Sequence, residues 1–135
     1  MPFAYPHTGL VTLLALLVCL WMSLRVGKAR TKHNVPAPAM TGPDELMRVI
    51  RVHENTLEGL MLFLPALWLF ALTTHDLWAA AIGIFYPIGR VVYALGYYKA
   101  ADKRSLGFAI GGLATVVLLL GALVTLAMAA VAAHS

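Results

Sequence analysis

The chain has 135 residues, of which 61% are hydrophobic and 12% charged, and its formal net charge at pH 7 is +4. Soluble domains carry about 25% charged residues, so this composition excludes an ordinary soluble domain. The basic residues adjoin long apolar blocks, which indicates interfacial anchoring and disfavours a nucleic-acid-binding surface.

The first membrane span is predicted over approximately residues 3–30. Its apolar part, from Phe3 to Leu24, carries no formal charge, and about 20 such residues cross the roughly 30 Å hydrocarbon core of a bilayer. The segment MPFAYPHTGL has no basic n-region, so we expect this block to be retained as a span and not cleaved as a signal peptide. The only cysteine, Cys19, lies within the block and is interpreted as a packing residue.

The second span is predicted over residues 43–73, beginning at the sequence TGPDE. Thr41 is the expected N-cap, Pro43 suits the first turn, and the two acidic residues that follow favour the positive end of the helix dipole. Pro65 removes one helical hydrogen bond, so a kink is expected there.

The third and fourth spans are predicted over residues 76–98 and 105–133. Ser105 is the expected N-cap of the fourth span, and the spacing of Gly107 and Gly111 allows close contact with another helix. The sequence therefore predicts a single domain over residues 1–135 with an all-α, four-helix membrane architecture.

Apart from Arg90, which lies within the third span, the lysine and arginine residues lie in or next to two polar segments. They are Arg25, Lys28, Arg30, Lys32, Arg48 and Arg51 around the first polar loop, and Lys99, Lys103 and Arg104 before the last span. The positive-inside rule then places both basic loops in the cytoplasm and both termini outside.

Spans two and three carry polar residues that a plain membrane anchor does not need. At about 100° per residue, Arg51, Asn55 and Glu58 fall on one face of span two. Tyr93, Tyr97 and Arg90 similarly share a face of span three, together with Tyr86. Charges within membrane spans usually mark a ligand site or pathway. A structural Arg90–Glu58 pair is the alternative.

Arg104 stands directly before the fourth span, where the helix dipole is already positive. The helix N-terminus, Arg104 and the Ser105 hydroxyl could together hold an anion. The alternative is an arginine that extends to lipid headgroups. The five histidines show no ligand spacing, so no metal site is predicted.

The segment RVHENTLE at residues 51–58, followed by FLPALW, resembles the signature of the MAPEG family, membrane-associated proteins in eicosanoid and glutathione metabolism. The resemblance continues through ARTKHNVPAPAMTGP, through GRVVYALGYY, and to Arg104 before the last span. It implies a left-handed four-helix bundle that assembles as a homotrimer, with glutathione as co-substrate bound between subunits near the cytoplasmic side.

The resemblance also implies a set of site residues. Arg104 would be catalytic and stabilise the glutathione thiolate, and Glu58 would meet the α-amino group. Arg90 would be a structural partner. The glutathione-binding residues would be Arg30, Arg51, Asn55, Glu58, Tyr93 and Tyr97.

Two positions depart from the leukotriene-synthase branch of that family. Thr31 stands where the branch has a second arginine, and Gly59 stands where it has a tyrosine. Arg104 and Ser105 resemble the prostaglandin E synthase branch, while the compact chain resembles a bacterial microsomal glutathione transferase, which implies the bacterial inner membrane.

The sequence thus leads to a membrane glutathione transferase that acts on apolar electrophiles and that could also reduce lipid hydroperoxides with glutathione. One alternative is a non-catalytic, lipid-binding scaffold of the same fold. A second alternative is a small proton-coupled transporter that uses Glu58.

Overall fold

The computed structural model describes residues 2–135, which form helices joined by short connections and contain no strand. The helices are α1 (Pro6–His33), α2 (Asp44–Thr73), α3 (Asp76–Gly83), α4 (Phe85–Lys99) and α5 (Ser105–Ala132), with a 3-10 turn at Ala101–Arg104. Since α3 and α4 form one segment, four segments are long and apolar enough to cross a membrane. The predicted all-α membrane architecture is confirmed.

The start of α2 differs from the expectation at its cap. The helix begins at Asp44 with Pro43 in the N-cap position, and no side chain caps it, so the prediction of Thr41 as N-cap is wrong. Pro43 has an extended ψ of 149°, so it lies outside the helix, and Asp44 and Glu45 occupy the first turn as expected.

The third span is not one regular helix, because α3 ends at Gly83 and α4 begins at Phe85. Pro87 has no N–H group, so the carbonyl of Gly83 cannot accept the helical hydrogen bond that residue 87 would otherwise donate. The N–H of Ile84 still donates to Ala80 at 2.9 Å. By contrast, α2 passes through Pro65 without interruption.

The prediction of Ser105 as the N-cap of the fourth span is also wrong. Ser105 is the first residue of α5, and Arg104 occupies the cap position with helical dihedral angles. The 3-10 turn runs directly into α5. A serine with helical dihedral angles no longer has the extended conformation that a capping side chain needs.

Glycines bring α4 and α5 into the close contact that the Gly107–Gly111 spacing predicted. A Cβ atom added at Gly107 would lie 2.0 Å from the backbone nitrogen of Tyr93, and one at Gly89 would lie 2.5 Å from the nitrogen of Gly111. Neither position can therefore hold a larger residue unless the helices separate. This contact fixes α4 and α5 against each other along one side of the site described below.

The end of the bundle opposite the basic loops is joined by Asp76. Its carboxylate accepts the backbone N–H of His7 at 3.1 Å and that of Thr8 at 2.7 Å, and it lies 2.7 Å from the His7 ring Nδ1. Asp76 of α3 thus satisfies free N–H groups in the first turn of α1, where no local side chain does so.

Candidate functional site

An open cavity of about 330 Å³ lies on the side of the bundle, toward the basic end. Side chains of α2, α4, α5 and the residue preceding α5 line it. The lining residues are Arg51, Glu54, Asn55, Glu58, Tyr93, Tyr97, Arg104 and Phe108. Six of the seven residues predicted to be catalytic or to bind glutathione therefore lie around one cavity.

The wall of the cavity formed by α2 follows from helical periodicity. Arg51, Asn55 and Glu58 recur at spacings of four and three residues, which places them on one face of the helix. Arg51 and Glu58 are exposed, whereas Glu54 and Asn55 are half-buried. The cavity thus offers a cation, carboxylates and an amide within about two turns of helix.

Aromatic side chains form the opposite wall. Tyr93 is buried and packs edge-to-face against Tyr97, with 5.5 Å between ring centroids, and lies 6.2 Å from the ring of Phe108. The Arg104 guanidinium carbon lies 5.6 Å from the Tyr97 ring centroid. Phe108 was not predicted, although its position one turn after Arg104 on α5 could have indicated it.

Arg104 itself is exposed, and its guanidinium donates a hydrogen bond to the carbonyl of Ala101 in the preceding turn. This contact and the Tyr97 ring hold the cation at the cavity while leaving other N–H groups free. The chemistry available at this position is electrostatic stabilisation of an anion.

Arg90 lies next to the cavity but is directed into the protein interior and is 3% exposed. Its Nη2 donates to Asn55 Oδ1 at 2.8 Å and to Thr56 Oγ1 at 2.7 Å, and its Nε donates to Thr56 at 3.1 Å. Glu58 is not an ion-pair partner of Arg90 in residues 2–135. Arg90 therefore donates to uncharged acceptors and orients Asn55. The alternative of a structural Arg90–Glu58 pair is wrong.

The sequence did not point to Thr56. Thr56 is fully buried and lies off the polar face of α2, so its periodicity gave no signal. Its backbone carbonyl also lies 3.4 Å from the Tyr86 hydroxyl, which acts as the donor. That hydroxyl occupies the space beside Gly59, where an added Cβ would lie 2.7 Å from it.

The structure places Arg30 away from the cavity of its own chain. Its guanidinium donates to the carbonyls of Ala39 at 2.6 Å and Val35 at 3.4 Å, in the loop between α1 and α2. Within one chain Arg30 therefore holds this loop, and its proposed role toward glutathione remains a prediction.

A second, more apolar cavity of about 430 Å³ adjoins the first and shares Asn55, Glu58 and Phe108 with it. Its remaining walls come from α2, α4 and α5, and are Gly59, Leu62, Tyr86, Arg90, Gly112, Thr115 and Val116. The polar cavity thus continues into an apolar one that opens on the side of the bundle.

Across residues 2–135, no three His, Cys, Asp or Glu side chains are grouped so that they could hold a metal ion.

Comparison with known proteins shows the family of this chain. The MAPEG family model matches residues 8–124. The chain belongs to the MAPEG family. A Synechocystis protein of uncharacterised function is 47% identical over 118 residues, which cover 87% of this chain and 86% of that protein.

Two relatives in this family have named activities. Human microsomal glutathione S-transferase 2 is 39% identical over 104 residues, covering 76% of this chain and 71% of its own. Leukotriene C4 synthase of Cavia porcellus is 40% identical over 94 residues, covering 70% of this chain and 63% of its own. Membership of the MAPEG family and the four spans make this chain a multi-pass integral membrane protein.

Proposed function

We propose that this protein is a membrane glutathione transferase that binds glutathione in the polar cavity and adds its thiolate to apolar electrophiles. The observation that carries the proposal is the convergence of Arg51, Asn55, Glu58, Tyr93, Tyr97 and Arg104 around one cavity. Its volume of about 330 Å³ falls within the roughly 300–1,000 Å³ typical of small-molecule sites.

The charges of glutathione match the side chains that line the cavity. Glutathione carries two carboxylates, one α-amino group and a thiol. Arg51 suits a carboxylate, Glu58 the amino group and Asn55 the peptide amides. Arg104, which is held beside Tyr97, would then interact with the sulfur. The tyrosine rings would exclude water from the peptide backbone of the ligand.

Arg104 would act by favouring the thiolate form of bound glutathione. A free thiol has a pKa of about 8.5 and is mostly protonated at neutral pH, while only the thiolate is a good nucleophile. The thiol proton passes to solvent and the sulfur keeps its electron pair. Each unit by which the pKa of the thiol is lowered requires about 1.4 kcal/mol of preferential stabilisation of the thiolate, which a cation close to the sulfur would supply.

In the conjugation step, the thiolate electron pair forms a carbon–sulfur bond to the electrophilic carbon. With an aryl chloride, the carbon–chlorine bond breaks and chloride leaves with its electron pair. The adjoining apolar cavity, which shares Asn55 and Glu58 with the polar one, suits an electrophile that enters from the lipid side. Such chemistry would serve detoxification, and the bilayer would concentrate the second substrate.

The same thiolate could reduce a lipid hydroperoxide. Two glutathione molecules would supply two electrons and two protons, giving one alcohol, one water and glutathione disulfide. The apolar cavity would hold the lipid part of the hydroperoxide next to the sulfur.

The resemblance to the MAPEG family implies a homotrimer with glutathione sites between subunits, and the charges of the polar cavity leave a role for a neighbouring subunit. Arg51 and Arg104 are offset by Glu54 and Glu58, whereas glutathione with an ionised thiol has a net charge of −2. A further cation would therefore favour binding, and in a homotrimer Arg30 of a neighbouring subunit would supply one. The basic end of the bundle would face the cytoplasm of a bacterial inner membrane, with both termini outside.

The proposal is tested by conjugation of glutathione to chlorodinitrobenzene by the purified protein in detergent. Arg104→Ala is expected to lower kcat by about 10- to 100-fold, equivalent to losing one or two pKa units of thiolate stabilisation. Lys103→Ala removes a neighbouring charge that does not line the cavity and should leave kcat unchanged. Equal losses in both variants would contradict the role of Arg104, and absence of turnover in the unmodified protein would favour the lipid-binding scaffold.

A further inference from the structure

A separate charged cleft of about 250 Å³ lies between α1 and α2 at the basic end of the bundle. It has no residue in common with either cavity described above. Its lining residues are Arg25, Lys28, Ala29, Lys32, Glu45 and Val49. Neither the thiolate chemistry nor the glutathione contacts account for these charges.

The cleft has an excess of positive charge. Lys32 forms an ion pair with Glu45 at 2.8 Å, which offsets one of the three cations. Arg25 and Lys28 have no ion-pair partner within residues 2–135. Two positive charges therefore remain for a ligand, and Lys28 is exposed.

Arg25 is held in place before any ligand binds. Its guanidinium carbon lies 4.4 Å from the Tyr98 ring centroid and 5.8 Å from that of Trp21. The two rings pack edge-to-face with 6.0 Å between centroids. A guanidinium stacked on an aromatic ring keeps its in-plane N–H groups available for a phosphate.

The cleft lies at the depth expected for lipid headgroups. Arg25 follows the first residue of α1, Pro6, by about 29 Å at 1.5 Å per residue, which matches the thickness of the hydrocarbon core. Trp21 and Tyr98 beside it are residue types that concentrate at membrane interfaces. Arg25 and Lys28 are therefore placed where a phosphodiester would lie.

From the cations toward the middle of the bilayer, α1 has an apolar surface on which an acyl chain could lie. Trp21, Leu17 and Leu14 lie within about 80° of Arg25 around the helix axis. Leu17 is 59% exposed and Leu14 is 39% exposed. This surface continues for about 16 Å along the helix, which corresponds to one leaflet of the bilayer.

From the two free cations, their depth and the apolar surface below them, we propose that this cleft is a binding site for one anionic phospholipid. The phosphate would lie between Arg25 and Lys28, and one acyl chain would follow Leu17 and Leu14. A zwitterionic lipid would place its own cation near the same charges and bind more weakly.

The test is native mass spectrometry of the delipidated full-length protein, titrated separately with dioleoyl phosphatidylglycerol and dioleoyl phosphatidylcholine. Each interfacial cation contributes about fivefold in affinity, so the unmodified protein should prefer phosphatidylglycerol by about 25-fold. The double variant Arg25→Gln, Lys28→Gln should bind both lipids equally. The matched control Lys99→Gln, Lys103→Gln loses the same charge outside the cleft and should keep the preference.

Equal loss of preference in both double variants would overturn the proposal, because the effect would then be one of overall charge. So would the absence of a preference in the unmodified protein. Glycerophosphoglycerol, the headgroup without acyl chains, should not displace the bound lipid at equal concentration. Displacement by it would mean a site for soluble phosphate esters.

Discussion

Replacing Thr56 with valine tests how the buried charge of Arg90 is stabilised. The two side chains have the same shape, so the change removes the hydroxyl without opening a cavity. Thr56 Oγ1 accepts hydrogen bonds from Arg90 Nε at 3.1 Å and Nη2 at 2.7 Å. In the variant, Asn55 Oδ1 is the remaining side-chain acceptor for Arg90.

The expected cost follows from these contacts. A hydrogen bond from a charged donor contributes about 1.5–3 kcal/mol, and a buried charged group left without its partner costs at least as much. Nη2 keeps its contact with Asn55 while Nε loses its acceptor, so we expect the free energy of unfolding to fall by about 2–3 kcal/mol. Because Thr56 also fixes the guanidinium that orients Asn55, its loss should let Asn55 move and lower the affinity for glutathione.

Thr115→Val is the matched control. Thr115 is also a buried threonine, but its hydroxyl donates to the carbonyl of Gly111 on its own helix at 3.0 Å and contacts no charge. Its loss should cost about 0.5 kcal/mol. Reversible unfolding in mixed micelles with dodecyl sulfate measures both variants. Equal destabilisation by the two substitutions would refute the assignment of Thr56 as the acceptor of a buried charge.

Two further changes test the packing and the far end of the bundle in the same unfolding assay. Gly107→Ala should destabilise the protein strongly, since its Cβ would lie 2.0 Å from the Tyr93 nitrogen. The control Gly112→Ala meets no atom within 4 Å and should be neutral or stabilising by up to about 1 kcal/mol. Similar effects of the two substitutions would contradict the close α4–α5 contact. Asp76→Asn should lower the free energy of unfolding by about 1–2 kcal/mol, because it weakens the contacts with the N-terminus of α1. The control Asp102→Asn changes an exposed carboxylate and should have little effect. An equally small effect of Asp76→Asn would show that these contacts are not stabilising.

Much of the fold was predictable because the bilayer imposes simple constraints. Apolar segments of sufficient length must be helices that satisfy their own backbone, so the four spans follow from hydropathy alone. The irregular points did not follow. Pro65 and Pro87 both lack an N–H group, yet only the helix near Pro87 is interrupted. Gly83, which disfavours helix, lies four residues before Pro87, whereas Met61 holds that place before Pro65.

The candidate site was predictable where it repeats with helical periodicity. Arg51, Asn55 and Glu58 share one face of α2, and Tyr93 and Tyr97 share one face of α4. The partner of Arg90 was not predictable, because a threonine hydroxyl off the polar face carries no periodic signal. The position of Arg30 in the α1–α2 loop likewise depends on backbone carbonyls that sequence patterns do not specify.

Arg104 is proposed to stabilise the thiolate of glutathione bound in the polar cavity. The most direct measurement is the ultraviolet absorbance of the thiolate when glutathione is added to the purified protein at neutral pH, with calorimetry to measure binding. We expect a thiolate signal that is lost in Arg104→Ala while glutathione still binds. An undiminished signal in Arg104→Ala would contradict the role of Arg104, and neither signal nor binding in the unmodified protein would contradict the proposed function itself.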